Sequence, residues 1–242
     1  MLNTKTKMLR LSLLSMAVAG AMSVAHTANA EGVDVSGAVG VSNMYLWRGY
    51  DLGNGSAAVS GDLKASVAGA YTGIWGSSGD SLNGTEYDLY VGYGAEFSGV
   101  TVDLSVWNYM YPSSSAETCV AEVVGPEVVE TCTAEPNILD DFGGLSEAVL
   151  SLGFAGVGVA VYDNIAGGSG YEYYTLSYSY DAFTVLAGKH DNVGGGDDVT
   201  HLDLKYAYND NLTFALSQIL DGDEGVDEDL KFVVGYSLPI GD

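Results

Sequence analysis

The chain is short of bases, prolines, cysteines and long apolar runs, and each shortage removes a class of protein. Only 8 Lys and Arg stand against 32 Asp and Glu, and Lys5, Lys7 and Arg10 all fall in the first 30 residues. A surface so poor in positive charge repels polyanions, so nucleic acid is not an expected partner. With 4 prolines and no low-complexity linker among 242 residues, nothing divides the chain into separate domains. Past about residue 25 no segment approaches the roughly 20 consecutive apolar residues of a membrane-spanning helix, so any crossing must be made with strands. The 2 cysteines, Cys119 and Cys132, have no nearby histidine to complete a zinc site and lack the Cys-x-x-Cys spacing of redox catalysts. In an exported protein the expectation for this pair is a disulfide.

What is present begins with a leader. Lys5, Lys7 and Arg10 precede an apolar run from Leu11 to about Ala25, followed by Ala28-Asn29-Ala30. This is the pattern of a secretory signal peptide cleaved after Ala30, leaving residues 31–242 as the mature domain. The 17 tyrosines, 6 phenylalanines and 3 tryptophans argue against an acidic disordered chain, and 33 glycines suit many tight turns.

The segment EYDLYVGYGAEF, residues 86–97, alternates strictly: Tyr87, Leu89, Val91, Tyr93, Ala95 and Phe97 on one side, acids, glycines and Tyr90 on the other. Alternation of this length is an extended strand with one apolar and one polar face. The same period places strands near 33–49, 57–67, 70–77, 85–97, 100–111, 145–154, 157–163, 171–180, 183–190, 199–208, 212–220 and 230–238. Short turns such as Ala68-Gly69, Ser98-Gly99 and Ala155-Gly156 alternate with longer connections at 50–56, 78–84, 112–144, 164–170, 191–198 and 221–229. Short turns at one end and long loops at the other is the outer-membrane arrangement. The expected fold class is therefore all-β: a transmembrane antiparallel up-and-down β-barrel of 12 strands, with 10 or 14 as alternatives, and a long extracellular loop at about 112–144.

In such a barrel the apolar face meets lipid and the polar face lines the lumen. Tyr45, Trp47, Trp75, Tyr87, Phe97, Tyr174, Tyr178, Tyr208 and Tyr236 read as outward girdle aromatics. The expected channel-lining residues are Arg48, Asp62, Lys64, Glu86, Asp88, Glu96, Asp103, Glu147, Asp203, Lys205 and Lys231. In the fifth strand, Val100, Val102, Leu104 and Val106 point out, which sends Trp107, Tyr109 and Tyr111 inward unless a bulge near Asn108 reverses them.

Several motifs resemble a known family. Ser42-Asn43-Met44-Tyr45-Leu46-Trp47-Arg48-Gly49, the segment from Ala57 to Asp62, Ala70 to Ser77, Glu86 to Tyr93 and Tyr109-Met110-Tyr111-Pro112 resemble, in order and spacing, the TorF porin family. The resemblance implies an outer-membrane location and a porin, and the acidic 112–144 segment departs from the family pattern. The final strand also resembles the C-terminal signal of outer-membrane barrels through Val233, Gly235, Leu238 and Ile240, without a terminal aromatic. Expected partners are thus outer-membrane lipid, the insertion machinery of a Gram-negative outer membrane, and small hydrophilic solutes or cations.

For Arg48 the choice lies between a luminal charge that orients ions and a structural salt bridge at a loop base. His190, Asp191, Asp197, Asp198 and His201 gather at two strand ends, so an acid and histidine rim is the enzyme alternative; a non-conducting structural or adhesive barrel is the other. Asp221-Gly222-Asp223-Glu224-Gly225 lacks the remaining register of a calcium loop. The leading expectation is a passive, cation-preferring channel, not an enzyme, with no cofactor, metal or catalytic residue; the 112–144 loop could fold in and narrow it.

Overall fold

A computed structural model describes residues 32–112, 118–124, 127–133, 142–167, 170–192, 198–222 and 225–240, with 118–124, 127–133 and Asn192 described by their backbone only. The expected leader, residues 1–30, lies outside the described residues. Twelve strands form one closed antiparallel barrel: β1 (Asp34–Ser42), β4 (Ala58–Val67), β5 (Ala70–Asp80), β6 (Gly84–Phe97), β7 (Val100–Met110), β10 (Leu145–Phe154), β11 (Val157–Ala166), β12 (Tyr171–Tyr180), β13 (Phe183–Asn192), β14 (Val199–Ala207), β15 (Leu212–Asp221) and β16 (Lys231–Ile240). Each pairs with the next, and β16 closes on β1 through Gly37 to Ile240 and Ser42 to Gly235. Two short hairpins stand apart from this sheet: β2 (Leu46–Trp47) with β3 (Tyr50–Asp51), and β8 (Thr118–Val124) with β9 (Glu127–Thr133). Closure removes the unpaired edges an open sheet would expose.

Turn chemistry sets one end of the barrel. Ala68-Gly69, Ser98-Gly99 and Ala155-Gly156 have both φ angles positive (49° and 89°, 52° and 82°, 48° and 89°), the type I′ turn whose twist matches the flanking strands. The opposite end carries the longer connections. One of these is shorter than expected: β5 runs to Asp80 and β6 starts at Gly84, so the 78–84 loop is reduced to residues 81–83. The Asp80 carboxylate causes this, accepting the backbone N–H groups of Leu82 and Asn83, both at 2.8 Å.

The faces divide as alternation demands. Val39, Val41, Val59, Leu63, Leu89, Val91, Leu104, Leu150, Leu176 and Leu204 are exposed on the outside, an apolar belt where a soluble protein would be polar. Phe97, Phe154, Tyr180, Phe183 and Tyr208 ring the short-turn end of that belt. Trp75 is a correction: it is buried inside, since strict pairing sets it opposite the inward Asp62 and Asp88. Trp107, Tyr109 and Tyr111 also face inward, and the β6–β7 register runs through Asn108 without a bulge.

The larger correction concerns the first strand. It ends at Ser42, and residues 43–57 turn into the lumen around β2 and β3, taking Tyr45 and Trp47 out of the expected outer girdle. The side chain of Asn43 replaces the ladder here, donating to the Phe232 carbonyl at 3.1 Å and accepting the Val234 N–H at 2.7 Å.

Candidate functional site

The β2–β3 hairpin closes on Arg48 and Gly49, with φ of 48° and 90°, the same I′ geometry as the turns at the other end. Its tip lies across the lumen. Leu46 packs with Ala215 of β15 and Val233 of β16. A Cβ on Gly49 would meet the His201 ring at 2.9 Å and Ile219 at 3.2 Å, so only glycine lets the hairpin approach β14 and β15 this closely. On the other wall the Tyr45 hydroxyl donates to Glu86, and its ring lies beside Trp75.

Arg48 is the centre of this arrangement. Its Nη1 and Nη2 donate to Glu147 Oε1 and Oε2 at 2.8 and 2.6 Å, a two-pronged pair on β10. Arg48 is 6% exposed and Glu147 4%, so the pair is removed from water and each charge depends on the other. The guanidinium carbon sits 4.5 Å from the ring centres of Tyr162 and Tyr173, 4.6 Å from Trp47 and 5.8 Å from Tyr171. Aromatic faces are negative, so this box adds cation–π attraction on several sides. Tyr109 donates its hydroxyl to Glu147 Oε2 at 2.7 Å, filling another acceptor direction of the carboxylate.

The histidines fasten the same hairpin. His190 Nε2 is 2.8 Å from the Arg48 carbonyl, which can only accept, so Nε2 carries the proton and Nδ1 accepts the Tyr171 hydroxyl at 2.7 Å. His201 donates from Nδ1 to Asp203 at 3.1 Å, and its Nε2 accepts the Tyr173 hydroxyl at 2.7 Å. The acids expected to serve these histidines do not. Asp191 is on the outer parity of β13, Asp198 pairs with Lys189 at 2.6 Å on the surface, and Asp197 lies outside the described residues. The acid that serves His201 is Asp203, two residues along the same strand face.

The expected lining residues fall into two groups. Arg48, Glu86, Asp88, Glu147, Asp203 and Lys231 are buried toward the long-loop end. Lys231 Nζ donates to the carbonyls of Asp227 at 2.8 Å and Asp229 at 3.2 Å. The Asp229 backbone N–H and the Lys231 ammonium hold Asp227 below the usual carboxylate range. Asp62, Lys64, Asp103 and Lys205 are half-buried further in, and Glu96 is exposed at the short-turn end. There Tyr90 donates to Asp62 and Tyr71 to Asp103, each at 2.8 Å, and Lys64 Nζ lies 4.1 Å from the centre of the Tyr71 ring. The luminal tyrosines 162, 171 and 173 were absent from the expected site, although Tyr171 and Tyr173 share the parity of Ser177 and Ser179, which marks them as inward.

The Cys119 and Cys132 side chains lie outside the description, but the backbone register of β8 and β9 sets the two residues directly opposite. Asp223 and Glu224 also lie outside it, and among the described residues no group of three or more His, Cys, Asp or Glu could hold a metal ion.

The model of a bacterial protein family of unknown function, Gcw_chp, matches residues 25–210, and the chain belongs to that family. No curated protein matches it in sequence. Among solved structures it is similar to outer membrane phospholipase A from Escherichia coli, at 13% identity and a TM-score of 0.41, over 86% of this chain and 90% of that one. A likeness that distant lends no activity to this chain.

Proposed function

We propose that this member of the Gcw_chp family is an outer-membrane porin: a passive channel for small hydrophilic solutes or ions, preferring cations and narrowed by its own 43–57 segment. The observation that carries the reading is the division of faces. A closed barrel with an apolar exterior and charged, tyrosine-rich interior has its polar side turned inward, as a bilayer requires and water does not. Twelve strands at ~4.8 Å spacing and ~40° tilt give a backbone diameter of roughly 24 Å, wide enough to leave a lumen once inward side chains are placed.

Two features support the cation preference. Asp62, Asp103 and Glu96 outnumber Lys64 and Lys205 on the more accessible luminal wall, and the chain carries a formal charge of −24. Clefts of one sign in low-dielectric walls concentrate the opposite ion. In this reading lipid surrounds the belt, insertion machinery reads the last strand, and the buried histidines hold the hairpin in place. Planar bilayers with the purified protein under a potassium chloride gradient test it: a reversal potential on the potassium side is expected, weakening toward 1 M salt as screening shortens to about 3 Å. A chloride-selective potential overturns the preference, and the absence of any conductance overturns the channel.

A further inference from the structure

Arg48 occupies a site that it need not own. The walls of its box belong to the barrel: Glu147 on β10, Tyr162 on β11, and Tyr171 and Tyr173 on β12. Only the guanidinium and Trp47 arrive on the inward hairpin, which joins the barrel sheet at its two ends and is not one of its strands. A carboxylate aligned for a two-pronged bond and stacked aromatic faces are the means by which proteins recognise a planar organic cation.

We propose that Glu147, Tyr162, Tyr171 and Tyr173 form a binding site for guanidinium-bearing small cations, and that Arg48 is its resident internal competitor. The proposal rests on the luminal reading above and names the solute class that such a lumen would favour. With the hairpin in, the site is filled by the chain itself. With it withdrawn, the same carboxylate and rings face the lumen and take the guanidinium of a solute. A guanidinium is preferred over an ammonium because Glu147 already meets two parallel N–H donors, a fork that an ammonium cannot present.

The test is calorimetric titration of the whole detergent-solubilised barrel with methylguanidinium chloride, with ethylammonium chloride at equal ionic strength as the control. Arg48→Ala is expected to bind methylguanidinium and the wild-type barrel at least tenfold more weakly, because its own Arg48 competes. Adding Glu147→Gln to Arg48→Ala should weaken binding about ten- to hundredfold, the loss expected for a charge-assisted hydrogen bond. Ethylammonium should bind Arg48→Ala at least tenfold more weakly than methylguanidinium. A folded Arg48→Ala barrel that binds neither cation, or binds both equally, overturns the proposal. Should Arg48→Ala not refold alone, refolding in methylguanidinium chloride and in ethylammonium chloride decides: recovery with methylguanidinium alone shows the free cation replacing the side chain and the proposal stands; no recovery, or equal recovery with both, overturns it. Binding is read without conduction, so a barrel that binds but never conducts refutes the channel and keeps the site, and one that conducts but never binds does the reverse.

Discussion

The two ends of the lumen are built on opposite rules. Toward the long loops the interior is packed: Arg48, Glu147, His190, His201 and Tyr173 are buried and hydrogen-bonded, and Leu46 of the inward hairpin packs against Ala215 and Val233. Toward the short turns the inward positions are small, with Gly92, Gly94, Ser151, Ser177, Ser179, Gly235 and Ser237 at half exposure, and charges are bonded to tyrosines on the next strand but one of the same wall. The same twelve strands run through both regions, with register shifts only toward the long loops, at Ser77–Asp80, Ser146–Glu147 and Thr200–His201, so strand number does not create the difference. It follows from what fills the lumen: where the hairpin enters, large side chains are enclosed, and where it does not, small ones stay wet. In a barrel of this girth, constriction is set by an inserted segment more than by strand number.

That contrast breaks most severely at the buried ion pair. Glu147→Ala leaves the Arg48 charge enclosed without its partner, a loss of about 3–5 kcal/mol. A urea titration followed by the heat-modifiable gel shift of the barrel should show it, whereas Asp103→Ala at the wetter end should cost far less. Equal losses at the two sites would mean that the ends are not differently packed.

Glycine substitution sharpens the comparison at smaller scale. A Cβ on Gly188 would collide with both His201 Nε2 and the Tyr173 hydroxyl, so Gly188→Ala should destabilise by about 1–3 kcal/mol through overpacking. A Cβ on Gly94 meets the end of the Asp103 carboxylate at 3.1 Å, which can rotate aside, and the Val102 carbonyl at an ordinary 3.9 Å, so Gly94→Ala should change the same titration little. The smallest effect is expected at the β8–β9 hairpin, which is outside the barrel sheet. Cys119 and Cys132 are backbone register partners in β8 and β9, and thiol labelling of unreduced, denatured protein should find both blocked. Their reduction should leave the barrel's gel shift unchanged, because β8 and β9 are not in the barrel sheet. Full labelling before reduction would contradict the pairing.

The outer strands were legible for a physical reason. Their apolar and polar residues alternate because the outside and the lumen of a closed barrel lie on opposite faces of each strand, and x-Gly pairs mark the turns between them. The hairpin was not, because Tyr45 and Trp47 continue the apolar parity of Val39 and Val41, so a local reading carries the first strand past Ser42. The break is enforced from 189 residues away, where the Asn43 amide takes ladder bonds from β16. One local signal did point to it: Arg48-Gly49 is the same kind of pair as Ala68-Gly69 and Ser98-Gly99. Trp75 shares the parity of Tyr71 and Gly73, which face the lumen, so its own strand pattern already marks it as inward. The partner of Arg48, Glu147, is 99 positions distant and no spacing rule reaches it.

Ser42 and Ala58 are direct partners in the β1–β4 ladder, so residues 43–57 can be replaced by an Asn-Gly turn without disturbing the barrel sheet. Single-channel conductance of this shortened barrel beside the full-length one tests the central claim most directly. The account predicts a severalfold larger conductance on deletion, with cation preference retained because the half-exposed acids remain. Equal conductance in the two proteins would show that the inward hairpin is not the constriction.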